Sequence, residues 1–192
     1  MPMTDNTNRY SAPVPVGDVV PGIPPVPITV WPVPAPRKGD TMSNQMGVRL
    51  VHNLTHPGEL IIDLVDGPQL ARAVIAASRR SHLQAARQTG WGREPARLIV
   101  TGWPVDSPAS AVEFFGRCRD ALLPGGCVAV LLGHDVTAPV DVIIAAKEAG
   151  LNYLQHIVAA DQPPRPRMQT LLDIHTDVLI MTLSAAGSGG GR

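Results

Sequence analysis

Between residues 72 and 97 the chain carries six arginines, Arg72, Arg79, Arg80, Arg87, Arg93 and Arg97, against one acid, Glu94. Arg72 and Arg79 stand seven apart, as do Arg80 and Arg87, so each pair shares a face of a helix. Such a stripe is suited to nucleic-acid phosphates, where each neutralised phosphate releases a counterion. A solvated surface helix carries arginine in the same pattern. Arg165 and Arg167 could extend the basic set, while 16 basic and 16 acidic residues leave the whole chain neutral and limit nonspecific DNA affinity. The six histidines are scattered. His52 and His56 are four apart, but Pro57 ends any helix that would align them, so no zinc site is expected. No Gly-x-Ser-x-Gly elbow is present, and Cys118 and Cys127 read as buried packing residues.

The elements that must position these groups alternate. Leu60–Leu64 is an apolar run closed by Asp66-Gly67-Pro68, a buried strand and a turn. Residues 69–87 then read as one helix, with Leu70, Ala73, Val74 and Ala77 on one face. Residues 97–101 form a second strand. The next helix has Ser107 and Pro108 at its start, Ser110-x-x-Glu113 as a capping box, and an apolar face of Ala111, Phe114, Phe115, Cys118 and Leu122. Pro124-Gly125-Gly126 stops it, and residues 127–132 are a third strand. A helix over 139–149, capped by Thr137, precedes strands at 151–159 and 177–183. The result is an α/β sandwich of about five strands. It is mostly parallel, and the short link to the last strand makes that strand antiparallel.

Ten of the 20 prolines fall in residues 1–36, which read as a disordered, polyproline-like arm, a spacer in the first place and a ligand for a proline-recognising protein partner in the second. Residues 37–54 are a polar connector with one short helix, 55–184 the folded domain, and 185–192 a Gly/Ser-rich tail. No signal peptide or membrane helix is expected, and two cysteines in 192 residues suit a reducing, cytoplasmic setting.

The order of motifs resembles the class I S-adenosylmethionine-dependent methyltransferases, whose Rossmann-like sheet ends in an antiparallel strand. Leu122-Leu123-Pro124-Gly125-Gly126-Cys127-Val128 is similar to that family's helix–turn–strand after its catalytic loop. Gly150-Leu151-Asn152-Tyr153, Gln155-His156-Ile157-Val158 and His175-Thr176-Asp177-Val178-Leu179-Ile180 resemble the DNA methyltransferases of exocyclic amino groups. Their opening strand is similar to His56-Pro57-Gly58-Glu59-Leu60-Ile61-Ile62-Asp63. The resemblance covers residues 55–183 and implies S-adenosylmethionine as cofactor, held at Asp63, Asp66 and Gly67. It implies DNA as partner, with Gly102, Trp103, Pro104 and Asp106 in the catalytic loop.

The departures point to a degenerate site. The family's glycine loop is here Leu64-Val65-Asp66-Gly67-Pro68, with one glycine, and Pro68 removes an N–H donor. Residues 79–96 show no β-rich run and no acid for the ribose before Glu94, so the second and third strands of the usual sheet are expected to be shortened or deleted. Gly102 offers no side-chain acceptor for a target amine, Asp106 comes four residues late, and Trp103 is left to stack on a flipped base. Weak or absent cofactor binding follows. The alternative function is a non-catalytic nucleic-acid or protein-binding module that uses the face of Arg72, Arg79, Arg80 and Arg87.

Overall fold

The computed structural model describes residues 18–20, 28–83, 91–105, 109–134, 138–161 and 173–185. The chain order is β1 (Asp18–Val20), β2 (Ile28–Pro32), α1 (Asn44–Leu54), β3 (Leu60–Leu64), α2 (Gln69–Ala76), β4 (Arg80–Leu83), β5 (Ala96–Trp103), α3 (Ala111–Asp120), β6 (Leu122–Gly133), α4 (Pro139–Glu148), β7 (Asn152–Ala160) and β8 (Ile174–Thr182). The strands form one sheet in the order β1-β2-β7-β8-β6-β5-β3-β4. Strands β4, β3, β5 and β6 run parallel, and β8 lies antiparallel between β6 and β7. This is a mostly parallel α/β sheet of the Rossmann-like methyltransferase kind, with the expected antiparallel last strand.

Sequence composition explains the layering. Every residue of β3 is buried, as an apolar run needs when helices cover both faces of the sheet. On one face α1 and α2 pack over Trp31, Val33, Leu98, Ala129 and Ile180. On the other α3 and α4 cover Ile99, Phe114, Phe115, Val128, Val130 and Leu179. Helix α3 begins at the expected capping box: Ser110 accepts from Glu113 N, and the Glu113 carboxylate accepts from Ser110 N at 2.8 Å. No helix among the described residues is long and apolar enough to cross a membrane.

Four expectations are corrected. Among the described residues the sheet has eight strands, where about five were expected. The helix expected over 69–87 ends at Ala76; Ser78 turns the chain with φ 55°, and β4 follows. The second parallel strand is therefore present beside β3, shortened to four residues. It escaped notice because Arg80-Ser81-His82-Leu83 is a short sheet-edge segment, held by backbone pairing with Ser81 and His82 exposed. Residues 28–36 do not belong to a detached arm. Strand β2 pairs parallel with β7, and Trp31 and Val33 are fully buried. Helix α4 is entered through Ala138 with no side-chain cap; Thr137, like Ser107 and Pro108, lies outside the described residues.

Candidate functional site

In a parallel sheet the loops after the strands meet at the strands' carboxyl edge, where ligands of open α/β folds bind. Asp63 stands at that end of β3, 2% exposed. Its Oδ1 accepts from Val65 N at 3.2 Å, and its Oδ2 has no partner among the described residues. Burial pushes its carboxyl up to about 6 against the pull of the Val65 N–H. The loop then turns at Gly67, whose φ of 95° any side chain would strain.

The segment leading from β2 to α1 crosses this edge. The Asp66 N–H donates to Thr41 Oγ1 at 3.1 Å, and the Thr41 N–H approaches Asp66 O at 3.5 Å. Thr41 also lies over the end of β5: a Cβ at Gly102 would come within 3.0 Å of its Cγ2. A Cβ at Gly67 would meet Gln69 Oε1 at 2.3 Å and Asp40 Oδ1 at 3.1 Å. Thus the space beside the glycine and the space between the first and second parallel loops hold the chain's own side chains. At its other end the segment is tied by Val33 N to Ala160 O (3.0 Å), by His175 Nε2 to Val33 O (2.9 Å) and by Ala35 N to Asp161 Oδ1 (3.1 Å).

These residues do not fit S-adenosylmethionine in the manner that the resemblance implies. The loop has one usable glycine, and its open side is filled. Strand β4 supplies the missing floor, yet residues 80–93 contain no acid for the ribose hydroxyls. Asp63, Asp66 and Gly67 are brought together, but Asp66 points its backbone at Thr41 and is exposed.

The expected catalytic residues are placed as follows. Gly102 and Trp103 end β5, and Pro104 follows a cis peptide and is exposed; Asp106 lies outside the described residues. Trp103 is committed to internal packing. Its ring stacks on Phe115 at 5.5 Å and 13° and meets Phe114 edge-on at 6.2 Å. One face of the ring is thereby taken, and Trp103 is half-buried.

The arginine stripe does not form. Among the described residues of the stripe only Arg72 lies on a helix, exposed on α2. Arg79 is folded inward: it donates to Thr55 Oγ1 at 3.2 Å, to Thr55 O at 2.9 Å and to Ala77 O, tying the ends of α1 and α2 together. Arg80 opens β4 and pairs with Glu94. Arg87 lies outside the described residues.

One cluster was missed. Asp177 on β8 accepts from two imidazoles, His134 Nδ1 at 2.8 Å and His156 Nε2 at 2.7 Å. Burial raises its carboxyl, but the hydrogen bonds and charge of the two histidines outweigh burial and hold it below the usual range. The partners come from β7 and from the end of β6, on diagonals of the two antiparallel ladders that Asp177 joins. Only the strand register brings them together, so spacing along the chain carried no signal. No group of three or more His, Cys, Asp or Glu side chains among the described residues, this cluster included, is placed to hold a metal ion. Burial pushes the Cys127 thiol up to about 12 and the Cys118 thiol up as well, in keeping with packing roles.

Comparison places the fold among S-adenosylmethionine-dependent methyltransferases. The chain is similar to a geranyl diphosphate C-methyltransferase from Streptomyces coelicolor A3(2), solved with Mg2+, geranyl diphosphate and S-adenosyl-L-homocysteine. The TM-score is 0.52 and the identity 9%, over 73% of this chain and 78% of that one. It is also similar to a SAM-dependent methyltransferase from Leishmania major, with a TM-score of 0.50 and 11% identity over 72% and 70% of the two chains. At such identity the likeness is one of fold. No protein-family model matches the sequence, and no curated protein matches it.

Proposed function

We propose that this chain is a degenerate, catalytically silent member of the methyltransferase fold, related to the enzymes that methylate exocyclic amino groups of DNA. The observation that carries this reading is Thr41, which bonds to Asp66 and packs on Gly102 in the crevice where cofactor and acceptor would have to meet. Electrostatic and positioning chemistry has no counterpart there. Gly102 brings no acceptor for a target amine, and Trp103 is stacked on Phe115 rather than open to a base. Kinship with the DNA enzymes is supported by the motifs at 150–158 and 175–180 and by the antiparallel β8 that carries the second of them. Fold without the site's residues does not supply the activity.

The test is titration calorimetry of the full chain with S-adenosylmethionine. No saturable heat is expected. A dissociation constant in the low micromolar range would overturn the reading and show that the segment over Asp66 and Gly102 yields to the cofactor.

A further inference from the structure

A cleft of about 240 Å³ opens between the β2–α1 segment and the first turn of α2, lined among others by Arg37, Asp40, Asn44, Gln69 and Arg72. It is smaller than the roughly 300–1,000 Å³ typical of sites for drug-sized ligands. Its charges are arranged in two groups. Arg37 and Arg72 bring guanidinium groups that have no ion-pair or hydrogen-bond partner among the described residues. The amino ends of α1 and α2 meet at the same cleft, and neither helix has an acidic side chain in its first turn. Pro68 gives α2 no side-chain cap, so the first N–H groups of that helix are left to other acceptors. All of this favours an anion. The second group is the opposite. Gln69 is 7% exposed, and its buried Oε1 has no donor among the described residues. Asp40 Oδ1 converges with it on one point, the two oxygens lying 3.1 Å and 2.3 Å from the position of a Cβ on Gly67. A buried acceptor beside a carboxylate calls for N–H donors.

A carboxylate and an ammonium group a few bonds apart answer both groups at once. We propose that this cleft binds a free α-amino acid, its carboxylate at Arg37, Arg72 and the helix amino ends, its ammonium at Asp40 and Gln69. Thr41, Asp66 and Gly102 do not line the cleft, so its occupancy does not call on the crevice over Gly102. The chain would then be an amino-acid-responsive module built on a methyltransferase fold. This goes beyond the proposed loss of catalysis; it shares Asp40 and Gln69 with the filled side of the Gly67 loop, while the closure over Gly102 rests on Thr41.

The experiment is calorimetry of the full chain with single L-amino acids (alanine, serine, methionine, glutamate), with an N-acetyl and a methyl-ester derivative of the best binder, with inorganic phosphate, and with S-adenosylmethionine. At least one free amino acid should saturate below about 1 mM. Blocking either its amine or its carboxylate should weaken binding about tenfold or more. Arg72→Ala and Asp40→Ala should each do the same with little change in melting temperature. Phosphate binding that equals the amino acid, with no penalty for the blocked amine, would overturn the proposal in favour of a plain anion site. No binding of any free amino acid up to about 10 mM would overturn it too, as when the Gln69 amide is turned to donate to Asp40. The proposed function would survive that result. S-adenosylmethionine carries the same ammonium and carboxylate, so heat with it that Arg72→Ala abolishes belongs to this cleft. Heat with it that survives Arg72→Ala would overturn the proposed function, and binding of it with none of the free amino acids would overturn both readings.

Discussion

Asp63 shows how a single carboxylate records what the site has become. Its folded pKa is raised, so the fold prefers the neutral acid. The stability it contributes is full below the unfolded pKa of 3.8 and is lost as pH rises through 6. Relative to Asp63→Asn, which cannot ionise, the natural protein should lose about 1–2 kcal/mol between pH 4 and pH 7.5, after discounting for water at the loop. Urea melts of both proteins at the two pH values measure this. A difference that does not change with pH would show Asp63 ionised at little cost. Trp103 gives the companion test. Stacked on Phe115, it should cost about 2 kcal/mol of stability when changed to alanine, by loss of aromatic packing. DNA affinity should not change. Asp63 was visible in the sequence near the end of a strand, and Trp103 in the loop after one. Their roles were not, because an orphaned oxygen and a stacked ring depend on neighbours far along the chain.

At the scale of elements, the turn from α2 into β4 decides the fate of the arginines. A helix carried through residue 87 would have aligned Arg72 with Arg79 and Arg80 with Arg87. The positive φ at Ser78 instead turns Arg79 onto the ends of two helices. Arg79→Ala should therefore destabilise the protein by about 1–3 kcal/mol, since it leaves the Thr55 and Ala77 carbonyls without their donor. Arg80→Ala removes an exposed pair and should cost less than about 1 kcal/mol. Thermal melts of the two variants separate the readings: equal, small effects would restore the surface-stripe view. The strong periodic elements, β3, α3, β6 and β8, were legible because long apolar runs and a capping box act locally. The weak ones, β2 and β4, were not. Strand β4 is imposed by a neighbour's open backbone groups on residues of indifferent β propensity, whereas Ile28-Thr29-Val30-Trp31 favours a strand and was hidden by the prolines around it.

Across the whole molecule, the N-terminal residues change sides from tail to core. The pattern Ile28-Thr29-Val30-Trp31-Pro32 alternates half-buried and buried positions, and the segment's prolines lie at or beyond the last ladder pair. That placement lets a proline-rich stretch serve as a strand, which composition alone argues against. Strand β2 extends the sheet past β7, and from it the chain returns over the carboxyl edge to Thr41 and α1. The same stretch therefore completes one core and closes the crevice. Removing residues 1–36 would expose the core that Trp31 and Val33 fill, at about 4–5 kcal/mol for the two side chains. For a domain of this size, each kcal/mol moves the melting temperature by about 2–4 °C. The truncated chain should melt about 10–20 °C lower, or fail to fold, whereas removal of residues 1–17 alone should leave Trp31 and Val33 in place and cost far less. Differential scanning calorimetry of the two truncations decides the matter. Equal melting temperatures for both would mean that β2 adds nothing to the sheet it borders, and the closure of the crevice by Thr41 would lose its anchor.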